Sequence, residues 1–547
     1  MQRVIMMTCL SLAVSCAAAA DIDARTDAFL HNYRHGYCPY VLSRETNLEE
    51  IKIVADQGFD AVGVAFAGTY NNGKIDWSKL DEAVEMLKKD GRKVVVHLFP
   101  RFAESEGVSD VLNTGKRITH LWNKSPNYSM LDIFDPSQKA KFCDYLALAA
   151  QRWGANPAVI GFVFGWGYQG ETGFYNGDFL ADFSLMGTEC AGYSEFALIE
   201  YNRWRRDHGK APIQALPQPS VERQTDDYID WMHFRYWYTG EVFERASVDA
   251  IKAKTDKPVG TFAYLPASVE NYARAWSFVP NADFFRSAGS ASSFDNTRLL
   301  QDSAIGWEDA WLHDGRWNFS VKRMMCDEAR MIAHGAAFHA MYFRGYDSEP
   351  QWESDVYQKI SKFILTHQVR DQIEFCKPTV ALFQPTWSVA ALPARSDKQP
   401  FLPKVEHRHH IEWMVGLVES FGLPYRLVVE EDLMNPDRLK DFELIIVPMA
   451  DVAPRFLGTS RAEELITGPR VLPIPLRSEP LTRSQLKSML KSRGASVHFD
   501  YDGETPTAGR VNNLVFNWTP ERITVRALWN GEWLELRLDA NGYQILD

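Results

Sequence analysis

The chain has 547 residues, of which 46% are hydrophobic and 24% charged, with a formal net charge of −12. That length exceeds what one hydrophobic core can serve, so two or three domains are expected. The acidic balance argues against nucleic acid or an anionic membrane surface as a partner.

Residues 1–20, "MQRVIMMTCLSLAVSCAAAA", give one cation (Arg3), an apolar run from Val4 to Val14 and then small residues. This is the pattern of a secretory signal cleaved near Ala20, too short to span a bilayer. Export across the inner membrane, to the periplasm or beyond, is the expectation. A lipoprotein cleavage at Cys16 fits less well, because Val14 and Ser15 precede it.

From residue 30 to 370, short runs rich in Val, Phe and Tyr alternate with longer amphipathic stretches, as repeated βα units do. The predicted strands are 34–40, 60–66, 93–99, 159–165, 258–264, 282–288, 304–310 and 337–343. Helical text separates them. Gly58 and Gly91 are the expected C-caps of the first two helices, and Asp135-Pro136 opens the helix running to Arg152. Two helices fill 194–255, the first ending at Gly209, and 321–336 reads as another. Eight strands with intervening helices predict a (β/α)8 TIM barrel over residues 21–375.

The text restarts near residue 378. Strands in "PTVALFQPTW", "YRLVVEE", "FELIIVPMA" and "VLPIPL", with helices around 409–422 and 483–494, predict a flavodoxin-like α/β domain over 376–500. No Gly-rich phosphate loop follows its first strand, which argues against a nucleotide. Residues 501–547 alternate every second residue and carry Asn530-Gly531 and Asn541-Gly542, two hairpin signals, so a small antiparallel β domain is expected at the end.

Beyond the leader the cysteines are Cys38, Cys143, Cys190, Cys326 and Cys376, odd in number and with no C-x-x-C pair. Neither a disulfide framework nor a zinc site is implied by that spacing. His407, His409 and His410 stand close together in "KVEHRHH", but adjacent and i+2 histidines do not converge on one ion from a helix or a strand.

In a barrel, chemistry sits at the C-terminal strand ends. Two acids stand there: Glu171, just past the fourth strand in "FVFGWGYQGETGFYNG", and Glu308, in "GWEDAW" at the end of the seventh. Retaining glycoside hydrolysis uses two carboxyl groups roughly 5–5.5 Å apart, one attacking the anomeric carbon and the other handling the proton. On this reading Glu308 is the nucleophile and Glu171 the acid/base. Asp309 competes with Glu308, but alternation along a strand gives the two opposite faces.

Aromatic residues form 13% of the chain, and Trp at a strand end can stack on a hexose. Candidate substrate contacts are therefore Trp166, Tyr168, Gln169, His97, Arg101, Trp307, Trp311 and Arg344. Each also has a plain alternative, in which the rings seal the barrel top and the polar groups pair locally. The chemistry calls for no cofactor and no metal.

The order of elements and the two acid positions resemble a large clan of retaining glycosidases. "ARMIAHGAAFHAMYFRGYDSEPQWESD" (328–354) is similar to the eighth βα unit of glycoside hydrolase family 42. The organisation equally resembles glycoside hydrolase family 164, retaining β-mannosidases with a similar glutamate separation. Either resemblance implies a trimerisation role for the second domain, hence a homotrimer acting on oligosaccharides or other glycosides. The chain departs from family 42 in having Gly170 where Asn precedes the acid/base, and in lacking a cysteine zinc cluster. Those departures favour terminal β-D-mannosides as substrate. A family 42 type β-galactosidase and a catalytically inactive sugar-binding protein are the alternatives.

Overall fold

In the computed structural model of the protein, the described residues are 36–37, 48, 51–52, 61–66, 68–118, 131–166, 189–219, 225–264, 282–289, 306–311, 321–334, 336–342, 369–397, 399–403, 413–477 and 479–547. Eight strands form one sheet: β1 (Gly36–Tyr37), β2 (Ala61–Phe66), β3 (Lys93–Leu98), β4 (Val159–Phe164), β5 (Val259–Tyr264), β6 (Phe284–Gly289), β7 (Gly306–Trp311) and β8 (Ala336–Tyr342). They lie in chain order, each parallel to the next. Every one overlaps the run that the sequence marks as a strand. Cα atoms of β1 and β8 come within 8 Å of one another, so the two ends of the ladder approach.

Parallel neighbours need crossovers, and helices supply them. α1 (Ser78–Lys89) lies between β2 and β3, and α2 (Pro136–Trp153) between β3 and β4. α2 starts as the sequence predicts: the Asp135 carboxylate accepts the Ser137 and Gln138 amides, and Pro136 takes the first turn, where no amide is missed. Between β4 and β5 come α3 (Glu195–Asp207), α4 (Asp226–Trp237) and α5 (Arg245–Lys252), the last two joined without a break by a π-helical segment, Tyr238–Glu244.

Alternation gives the sheet two faces. Phe66, Leu98 and Phe164 share a row and face the helices: Phe66 lies 5.2 Å from the Trp77 ring and Phe164 6.0 Å from Phe142 of α2. Trp77 in turn meets Trp153 edge-on at 5.0 Å. The next row holds His97 and Val163, both fully buried on the other face.

α6 (Val321–Ala333) precedes β8 and is the hub of the molecule. Beyond it, β9 (Val380–Phe383), β10 (Tyr425–Val428), β11 (Leu444–Pro448) and β12 (Val471–Ile474) form a parallel sheet in the order β10-β9-β11-β12. This is the doubly wound arrangement expected. The chain ends in two antiparallel three-stranded sheets. One holds β13 (Phe499–Tyr501), β16 (Ile523–Trp529) and β17 (Glu532–Leu538); the other holds β14 (Ala508–Val511), β15 (Leu514–Asn517) and β18 (Tyr543–Ile545).

Two expectations change here. Asn530-Gly531 turns a hairpin between β16 and β17, with φ of 49° and 85°, but Asn541-Gly542 does not: it carries the chain from β17 to β18 in the other sheet. An Asn-Gly pair encodes a reversal and says nothing of which strand receives it. Also, β13 begins at Phe499 and pairs with β16, ahead of the boundary expected at 501.

Candidate active site

At the C-terminal edge of the eight-stranded sheet the described residues build a supporting frame. Past β3, Arg101 and Phe102 pair with Thr69 and Tyr70, which join the loops after β2 and β3. Arg101 is buried there, and so is His97 one row below the strand end, with the ring of Phe99 edge-on at 6.4 Å. Past β4, Trp166 is only 5% exposed. Its ring meets Phe243 edge-on at 5.3 Å, and its Nε1–H donates to Glu244 Oε1 at 2.9 Å. Trp166, expected as a sugar platform, is thus packed toward the helix layer.

A second part of the frame ties the chain after β4 to the chain after β3. Residues 110–118 turn back on themselves, and Leu112 bridges Ala191. Asn113 N–H donates to the Cys190 carbonyl, Cys190 N–H to Asn113 Oδ1, and Tyr193 N–H to the Val111 carbonyl. Asp110 Oδ1 accepts the Val111 amide at 2.7 Å and the Gly192 amide at 3.1 Å, and Arg235 of α4 donates to the Ala191 carbonyl at 3.1 Å. Burial, and then the charge of Asp132, push the Asp110 carboxyl well above its ordinary value; burial lifts Asp132 to about 6. Burial in turn lowers the Arg235 guanidinium. This buried cluster fixes 189–194, the end of the segment that Glu171 belongs to.

Glu308 and Asp309 lie in β7. The ladder sets Glu308 level with Ser287 and His339, and Asp309 level with Ala288 and Ala340. Trp307 and Trp311 belong to the same strand. Glu171, Tyr168, Gln169 and Arg344 lie outside the described residues, as do Cys38 and the histidines at 407, 409 and 410. The frame residues Asp110, Asp132, Arg235 and Glu244 were not singled out from sequence. A signal exists for the last two: each is a charge inside the apolar, aromatic helical text of 228–244.

Among the described residues no group of three His, Cys, Asp or Glu stands close enough to hold a metal ion, and no helix is long and apolar enough to cross a membrane. Cys143, Cys190, Cys326 and Cys376 are free thiols, with Cys190 and Cys326 buried. Burial raises the Cys143 thiol, the opposite of what a nucleophile needs.

No family model matches the chain, and no curated protein does. Solved structures match along nearly its whole length. The β-galactosidase from the psychrophilic Marinomonas ef1 aligns over 93% of this chain and 99% of its own, with 13% identity and a TM-score of 0.59. The cold-adapted β-galactosidase from Rahnella sp. R3 aligns over 94% of this chain and 98% of its own, with 12% identity and a TM-score of 0.63. The GH42 exo-carrageenase from Bacteroides ovatus aligns over 93% of this chain and 81% of its own, with 13% identity and a TM-score of 0.60. The likeness is one of fold, and it takes in the eight-stranded sheet together with the regions after it.

Proposed function

We propose that the protein is an exported retaining exo-glycosidase, with the eight-stranded sheet closed as a (β/α)8 barrel, Glu308 as nucleophile and Glu171 as acid/base. The observation that carries this reading is the ladder itself. Eight parallel strands succeed one another in chain order and the ends approach, which supports a closed barrel with the exits of β4 and β7 on one rim. The neighbours support the reaction class, since those compared are glycoside-cleaving enzymes by description. One further structure, from G. stearothermophilus, is a GH42 β-galactosidase in which a catalytic glutamate was replaced by alanine.

In that reaction Glu308 attacks the anomeric carbon while Glu171 protonates the departing oxygen, giving a covalent glycosyl-enzyme. Glu171, now ionised, takes a proton from water as the water displaces Glu308. Two carboxyl groups so close together hold one proton between them near neutral pH, and that is the state the first step needs.

Asp309 is the second reading for the nucleophile, and the register favours it. Phe164 pairs with Thr261, Thr261 with Phe285 and Phe285 with Gly306, so Asp309 falls in phase with the His97 row and Glu308 with the Phe164 row. Glu308→Gln and Asp309→Asn decide between them. The proposal expects turnover of aryl glycosides to collapse in the first and persist in the second; the reverse reassigns the nucleophile. Glu171→Ala should lose about 10²–10⁴-fold and regain part of that with azide or formate.

For the sugar we propose a terminal β-D-mannoside. Gly170 leaves no amide beside the acid/base to bond the 2-hydroxyl, and an axial 2-hydroxyl presents a different direction to the site. The neighbours' descriptions favour a β-galactoside instead. The ratio of kcat/KM on nitrophenyl β-mannoside and β-galactoside settles it, and a clear galactoside preference refutes the mannoside assignment.

A further inference from the structure

The helix running from Asp226 to Lys252 changes character midway, at the π-helical segment Tyr238–Glu244. A π turn inserts an extra residue and rotates the remainder of the helix, a departure that usually serves a purpose. Here it brings Phe243 and Glu244 to the end of β4. Phe243 packs against both Phe142 of α2 and Trp166, with ring centroids 5.3 Å apart in each case. Glu244 is fully buried and accepts the indole N–H of Trp166 at 2.9 Å. A buried indole needs an acceptor, but a backbone carbonyl or an amide would serve without burying a charge-bearing group. The bond also spans 78 residues of sequence, so it ties the helix layer to the strand exit directly.

We infer that Glu244 is a positioning residue: through its bond to Trp166 it sets the point at which the chain leaves β4 for Glu171. This rests on the glycosidase reading above. Misplacing a reacting group by about 1 Å costs on the order of 10²-fold, so a strand exit carrying the acid/base is a place where such a tether matters.

The test uses the full-length protein and the aryl glycoside it turns over best. Glu244→Leu should lower kcat by about tenfold to a hundredfold with KM within about twofold. Glu244→Gln, whose amide oxygen still accepts from the indole, should recover most of that loss. Trp166→Phe should match Glu244→Leu, and the double variant should be no worse than either alone. Ser247→Ala is the control, since Ser247 Oγ bonds the Phe243 carbonyl one turn on and should leave kcat unchanged. A folded Glu244→Leu with unchanged kcat overturns the inference, as does a Gln variant as poor as the Leu one. Where Glu244→Leu fails to fold, Trp166→Phe carries the same comparison. Fluorotryptophan labelling separates this from the parent reading: the ¹⁹F resonance missing in Trp166→Phe should shift in Glu244→Leu whether or not any glycoside is cleaved. An unmoved resonance disproves the tether; absence of all turnover disproves the glycosidase.

Discussion

Glu419 is 1% exposed, yet its carboxylate stays charged. Burial pushes its pKa up, but Arg330 and the hydrogen bond with His334 outweigh that and hold it at about 2. Arg330 grips it through two nitrogens at 2.9 and 2.7 Å, His334 Nε2 lies at 2.8 Å and the Tyr425 hydroxyl donates at 2.9 Å. The folded value is depressed, so its stabilisation is complete above the unfolded value of 4.5 and is lost as pH falls toward about 2. His334, whose pKa burial lowers from 6.5, adds a loss in the same direction at higher pH. Glu419→Gln removes the buried charge that faces Arg330. It should cost about 3–5 kcal/mol at pH 7, with the gap from wild type narrowing as pH drops below 4.5. Thermal melts across pH check this, and equal melting temperatures at pH 7 contradict it.

Glu431 titrates the other way. Burial, and then the neighbouring Glu430, raise its carboxyl to about 7, and its Oε1 accepts the Trp387 indole N–H at 3.1 Å. A raised carboxyl contributes stability that is complete below 4.5 and lost as pH rises through 7. Glu431→Gln should therefore melt higher than wild type at pH 8 and the same at pH 4. A variant less stable at pH 8 would show that the charge is wanted there.

At the scale of elements, the strands of the large sheet were legible because each is a short Val- and Phe-rich run bounded by polar helical text. Local composition decides such elements. It does not decide long-range partners. The Trp166–Glu244 bond and the Arg330–Glu419 pair, 78 and 89 residues apart, show that limit: a charge in helical text can be noticed locally, but nothing nearby in sequence names the group it will meet. Glu308 and Asp309 were legible as acids of β7, while the choice between them turns on register, which no composition encodes. Helix ends are legible where glycine is required. Gly422, just past the helical residues 413–419, has φ of 62°, and a Cβ there would lie 2.8 Å from Phe499 Cβ. Gly422→Ala should cost about 1–3 kcal/mol by urea unfolding. A neutral result would mean that β13 yields at that point.

At the scale of the whole molecule, α6 binds the three regions together. Arg330 reaches Glu419 of the second region and stacks over the Trp518 ring of the third at 5.1 Å, and Asn512 Nδ2 donates to the Ala333 carbonyl. On the second flank, His233 of α4 stacks on Trp387 at 4.2 Å, and burial lowers its pKa to about 4, so the ring is neutral at working pH. A helix between β7 and β8 that is locked into the later domains makes those domains part of the scaffold on which the proposed site would rest. We expect the protein to sediment as a homotrimer, and Trp237 and Met434, 39% and 40% exposed, are apolar surface available for burial. A monomer at micromolar concentration contradicts that assembly.

The most direct measurement is covalent trapping. A 2-deoxy-2-fluoro-β-mannosyl fluoride slows both steps, the second more, so a retaining enzyme accumulates its glycosyl intermediate. Mass spectrometry of the peptide spanning 304–312 should then find one sugar esterified to Glu308. Turnover of mannosides with no adduct on any carboxylate, or an adduct on Asp309 or any acid other than Glu308, would contradict the two-glutamate site.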